Sequence, residues 1–98
     1  MDREGDLAYL LLRGELKGDV PSDVLKKELE RHYVDDGVRT ICVNLSEVDL
    51  ITLDGVGILV ELWQESQDRG KRLIIKDPQG QVRDKLRVTG LLGTLTQP

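Results

Sequence analysis

A single cysteine, a single histidine and the lack of any concentrated basic stretch remove several kinds of chemistry at the outset. Cys42 has no partner for an internal disulfide, which agrees with a reducing compartment. Set inside an apolar run, it reads as a small buried hydrophobe. His32 has no second His or Cys, and no paired carboxylate, at ligand spacing, so it reads as an ordinary helix residue; no metal site and no cofactor are expected. The formal net charge is −4, with Lys and Arg scattered among acidic residues. No basic patch is available to neutralise phosphates, and nucleic acid is not an expected partner. No apolar stretch approaches the roughly 20 residues that cross a bilayer. Met1 to Asp6 lacks the basic and apolar regions of an export signal, so a cytoplasmic protein without membrane insertion is expected. Neither a Gly-x-Ser-x-Gly elbow nor any motif placing a base beside a nucleophile occurs; no catalytic residue is nominated and no enzyme is expected.

What is present is the composition of a folded module. Hydrophobic residues make up 39% and charged residues 33% of 98, enough for one core inside a well-solvated surface. One domain is expected over residues 1–98, with the tail from Thr94 to Pro98 frayed. Leu7 to Leu12 reads as a strand that turns at Arg13-Gly14-Glu15-Leu16 into a second short extended segment, with Gly14 and Gly18 as punctuation. Asp19 or Ser22 can cap a helix with Pro21 near its first turn, and Leu25, Leu29 and His32 or Tyr33 form its buried stripe. Gly37 is a candidate left-handed cap beyond it. Val38 to Leu45 alternates as a buried strand, and Ser46 to Thr52 reads as a connector. A helix from about Asp54 to Asp68 follows, then Arg69-Gly70-Lys71 as its stop, a strand at Arg72 to Lys76 ended by Asp77-Pro78, and a helix from Gly80 to Thr89. Strands alternating with helices predict an α/β fold with crossover helices on a mostly parallel sheet.

Particular segments carry a resemblance. Val43-Asn44-Leu45-Ser46-Glu47-Val48-Asp49-Leu50-Ile51 is similar to the strand and turn of STAS domains, the family of bacterial anti-sigma-factor antagonists and of the cytoplasmic tails of sulfate transporters. Thr52-Leu53-Asp54-Gly55-Val56-Gly57-Ile58-Leu59 resembles that family's Asp-Ser-Ser/Thr-Gly-Leu-Gly loop and helix start. Arg69-Gly70-Lys71-Arg72-Leu73, Pro78 with Val82-Arg83, and Leu86-Arg87-Val88-Thr89-Gly90-Leu91 match further segments in order. Arg13-Gly14-Glu15-Leu16 resembles the family's first hairpin. The resemblance implies a mixed sheet with helices mainly to one side.

It also implies a partner-binding loop at Thr52, Leu53, Asp54, Gly55, Val56 and Gly57. In phosphorylatable members the hydroxyl residue just before the glycine accepts phosphate; here that position is Asp54, and Thr52 is the only hydroxyl in the loop. Asp54 has three readings. It can be the N-cap of the helix, contributing about 1 kcal/mol. It can imitate the phosphorylated state, with one charge against about −1.5 to −2 for a phosphate. It can be an aspartyl-phosphate acceptor, for which no metal-binding acidic cluster is in view. Gly55 and Gly57 allow a sharp turn and exposed amides, but without a following Lys-Ser/Thr they do not make a nucleotide-phosphate loop. Val56, Leu59 and Trp63 share one helical face, with Trp63 either in the core or facing a partner.

The implied function is that of an anti-sigma-factor antagonist whose partner is a kinase-type anti-sigma factor or another STAS-containing protein, without serine phosphorylation unless Thr52 has taken the role. The alternative is an accessory subunit of an ABC-type lipid transporter that binds its ATPase.

Overall fold

The computed structural model describes residues 2–17 and 22–91. Along the chain run β1 (Asp2–Glu4), β2 (Leu7–Leu16), α1 (Ser22–Tyr33), β3 (Thr40–Ile51), α2 (Leu53–Asp68), β4 (Arg72–Lys76) and α3 (Gly80–Val88). The expected punctuation at Gly18, the cap at Asp19 with Pro21, and the tail from Thr94 lie outside the described residues. The sheet has the order β1-β2-β3-β4, antiparallel between β1 and β2 and parallel across the other two pairs. Parallel neighbours need crossover connections, which α1 and α2 supply. The predicted α/β fold with a mixed, mostly parallel sheet is the fold observed.

Strand periodicity decides where the core lies. Ala8, Leu10, Ile41, Val43, Leu45, Leu73 and Ile75 are buried in one cluster with Leu29 of α1, Leu59 and Leu62 of α2, and Val82 and Leu86 of α3. The alternate positions Leu7, Tyr9, Asn44 and Ile74 are only half-buried, and Leu11 is exposed. The helices therefore cover one face of the sheet, as a period of two requires when one side is packed. Cys42 belongs to the other set but is buried, with Tyr9 and Ile74 as its register neighbours. Burial pushes its thiol above the ordinary value, with Lys76 opposing. Among the described residues no helix is long and apolar enough to cross a membrane.

Three expectations about the strands need correction. The hairpin lies upstream of its predicted place: β1 turns into β2 through Gly5 and Asp6, with Gly5 at φ 62°. Arg13 to Leu16 continue β2, and Gly14, at φ 83°, is a kink within the strand. Residues 46–51, read as a connector, extend β3 to Ile51. Between the pairs Leu11↔Asn44 and Arg13↔Glu47, β3 spends three steps to two in β2, and it slips again before Glu15↔Leu50. These bulges break the alternation that marks a strand in sequence. At the first, the Asn44 side chain accepts a bond from Ser46 N–H at 2.8 Å. Beyond the end of α1 at Tyr33, Gly37 N–H donates to Asp35 Oδ1 at 2.9 Å.

The helix stops agree with the reading. Gly70 at φ 73° follows α2 and Gly90 at φ 77° follows α3. The Thr89-Gly90-Leu91 segment is a C-terminal cap: the Thr89 hydroxyl donates to the carbonyls of Lys85 and Leu86, and Leu91 N–H donates to Leu86, each at 3.0 Å. These bonds satisfy carbonyls that the helix itself leaves open.

Candidate functional site

The Thr52–Gly57 segment joins the end of β3 to the first turn of α2, and each residue's role follows from the side it faces. Thr52 is extended, at φ −97° and ψ 173°, and its Oγ1 accepts a bond from Gly55 N–H at 3.2 Å. Thr52 is thus the N-cap. This corrects the assignment of that role to Asp54, which is the second residue of the helix. The difference is one of geometry: a cap must sit outside the helix with its oxygen over the third amide, and a residue already in helical conformation cannot reach it. Thr52 N–H also donates to Leu16 O at 3.1 Å, tying the loop to the end of β2.

Gly55 is buried beneath that same Leu16 carbonyl. A Cβ there would collide with Leu16 O and stand 2.9 Å from Ile51 Cγ1, so only glycine lets α2 approach the sheet so closely. Val56 is 5% exposed and belongs to the core. Leu59 is fully buried, and Trp63 packs half-buried against the same cluster, which places the shared face of Val56, Leu59 and Trp63 inward.

The other three residues of the segment face solvent. Leu53 is 67% exposed, an uncommon position for a large aliphatic side chain at a helix start. Asp54 and Gly57 are exposed, and no atom lies within 4 Å of a Cβ built on Gly57. The Asp54 carboxylate has no hydrogen-bond or ion-pair partner among the described residues. It contributes through the helix dipole, worth about 0.3–1 kcal/mol at an exposed N-terminus. Continuing along the same side, Val60 is half-buried, and Glu61 and Gln64 are exposed. The segment therefore divides into Thr52, Gly55 and Val56, which fix its shape, and Leu53, Asp54 and Gly57, which form its surface.

One contributor was invisible in sequence. Gln81 of α3 reaches across to Ile51: its Oε1 accepts from Ile51 N–H and its Nε2 donates to Ile51 O, both at 2.9 Å. β4 pairs with β3 only as far as Asn44. Past that point Gln81 supplies one rung of a missing strand, next to the cap residue Thr52. Nothing in a separation of 30 residues announces such a contact.

No curated protein matches the sequence. The anti-sigma factor antagonist SpoIIAA in its unphosphorylated form has the same fold, with a TM-score of 0.75 at 21% identity over 99% of this chain and 83% of that one. The phosphorylated form of SpoIIAA, a Bacillus cell fate determinant, gives 0.69 at 20% identity over 99% and 86%. A sulfate transporter family protein from Wolinella succinogenes gives 0.74 at 19% identity over 92% and 71%. The model of the STAS domain matches residues 12–96, a span that holds the whole capped loop and all three helices, and the chain belongs to the STAS domain family.

Proposed function

We propose that this chain is a cytoplasmic, single-domain regulatory binding module of the anti-sigma-factor-antagonist kind, docking its partner through the outer side of the Thr52–Gly57 loop and of α2. The observation that carries the reading is the exposed Leu53-Asp54 pair at a rigidly capped helix start, where the family's motif has its hydroxyl acceptor. An exposed leucine offers apolar area to a partner, and the fixed backbone beneath it lowers the ordering cost of association. No enzyme activity is invoked.

Serine phosphorylation has no place in this loop. Leu53 and Asp54 carry no hydroxyl, and the Thr52 oxygen already serves as the cap. Asp54 places one carboxylate at the surface where a phosphorylatable relative would alternate between neutral and about −1.5 to −2. The loop is thus locked in one electrostatic state, and regulation lies with the partner's abundance or form.

The test is a pull-down from the source organism with the native chain and an Asp54→Arg variant as baits. A kinase-type anti-sigma factor retained by the native chain and lost by the variant is the expected result, with circular dichroism confirming that the variant folds. An ABC ATPase retained by both moves the chain to the transporter-subunit reading. Phosphopeptide mass spectrometry that finds modified Thr52 after exposure to the kinase overturns the unphosphorylated loop.

A further inference from the structure

At the other end of α2 the surface has a different character. An open groove of about 580 Å³ is lined by Asp6, Arg39, Thr40, Gln67, Gly70, Lys71 and Arg72. Its volume is within the roughly 300–1,000 Å³ common for small-molecule sites. Three of those side chains are cationic and one is anionic, in a chain whose net charge is −4.

Arg13, Arg69 and Arg87 each pair with a carboxylate, whereas Arg39 and Arg72 have no ion-pair partner among the described residues. Their backbones are joined, Arg72 N–H donating to Arg39 O at 2.9 Å, where β3 and β4 begin to pair. Lys71 is 8% exposed, and its Nζ donates to the carbonyls of Asp35 and Val38 at 2.7 Å each. These two carbonyls hold the ammonium in place. Asp6 enters the architecture through its backbone carbonyl, which accepts from Arg39 N–H at 2.8 Å and Thr40 N–H at 3.2 Å; its carboxylate is not within ion-pair distance of any of the three cations. The partial negative charge of the α2 C-terminus is blunted, because Gly70 N–H and Lys71 N–H donate to Gln67 O and Ser66 O at 3.0 and 2.8 Å.

Two arginines without ion-pair partners among the described residues, lining one groove with Lys71, Thr40 and Gln67, suit an acceptor that carries several oxygens and more than one charge. We propose that the Arg39–Arg72 groove is a binding site for a small divalent oxyanion, phosphate or the phosphate group of a monoester. It is distinct from the Thr52–Gly57 loop and independent of the partner assigned to that loop. The two are separated by the length of α2, 16 residues or about 24 Å at 1.5 Å per residue.

The experiment is a titration of the isotopically labelled protein, followed by amide chemical shifts, with inorganic phosphate and with glycerol 3-phosphate. Sodium chloride holds ionic strength constant, because exposed charges are screened by salt. Saturable shifts centred on Asp6, Arg39, Thr40 and Gly70 to Arg72 are expected, weakened about tenfold or more in Arg39→Gln/Arg72→Gln. Arg83→Gln, an exposed arginine of α3, retains native affinity. Saturation by both compounds identifies the anion itself as sufficient; saturation by the monoester alone assigns the site to a phosphorylated organic molecule. Shifts that grow linearly without saturating, or a double variant as tight as the native chain, overturn the proposal. Should the double variant not fold, Arg72→Gln alone on the short edge strand gives the same comparison.

Discussion

On the inner side of the first turn of α2, Gly55 lies under the Leu16 carbonyl with no room for a methyl group, whereas two residues further on Gly57 faces open space. The two look equivalent in a Gly-Val-Gly string. Gly55 is a packing element, and its replacement acts on the fold. Gly57 is part of an outward surface, and its replacement acts on the helix and on whatever the surface meets. The same division runs through the segment: Thr52 and Val56 go with Gly55, and Leu53 and Asp54 go with Gly57.

Substitutions can break this division or sharpen it. The largest effect is expected from Gly55→Ala, where the new methyl must displace either β2 or the helix; overpacking of this kind costs about 3 kcal/mol, and a thermal melt showing an unchanged midpoint would contradict the inner assignment. Next is Gln81→Leu, which strips both bonds from the Ile51 backbone and leaves two part-buried polar groups without partners. A loss of about 2 kcal/mol is expected in chemical denaturation, with faster hydrogen exchange at Ile51 and Thr52 as the local signature. The smallest is Gly57→Ala. At an exposed helical position, alanine stabilises by about 0.5–1 kcal/mol, so the midpoint should rise while binding to the captured partner weakens. A destabilising Gly57→Ala would erase the distinction between the two glycines.

Much of the fold was legible because its signals are local. The stripe of Leu25 and Leu29, the alternation of Ile41, Val43 and Leu45, and the glycine stops at Gly70 and Gly90 each report a periodicity or a backbone requirement within a few residues. Illegible features were of two kinds. Bulges near Ser46 and Asp49 hid the second half of β3, because an inserted residue reverses the phase of a period-two pattern. Long-range contacts, such as Gln81 on Ile51 or Gly55 beneath Leu16, have no local trace at all. The loop's position was readable from its motif, but the assignment of the cap was not. Thr52 and Asp54 are both good capping residues, and only the point where the backbone turns helical decides between them.

The overhang of β3 beyond β4 leaves a length of strand edge that no neighbouring strand covers. A strand whose edge outruns its neighbour offers bare amides and carbonyls on which another molecule can add a strand, the first step towards fibres. Here the exposed length is bent by its bulges, covered by α3, and closed at its last rung by a side chain that imitates a peptide group. Gln81 thus fills with its own amide the place where an incoming strand would otherwise pair with Ile51.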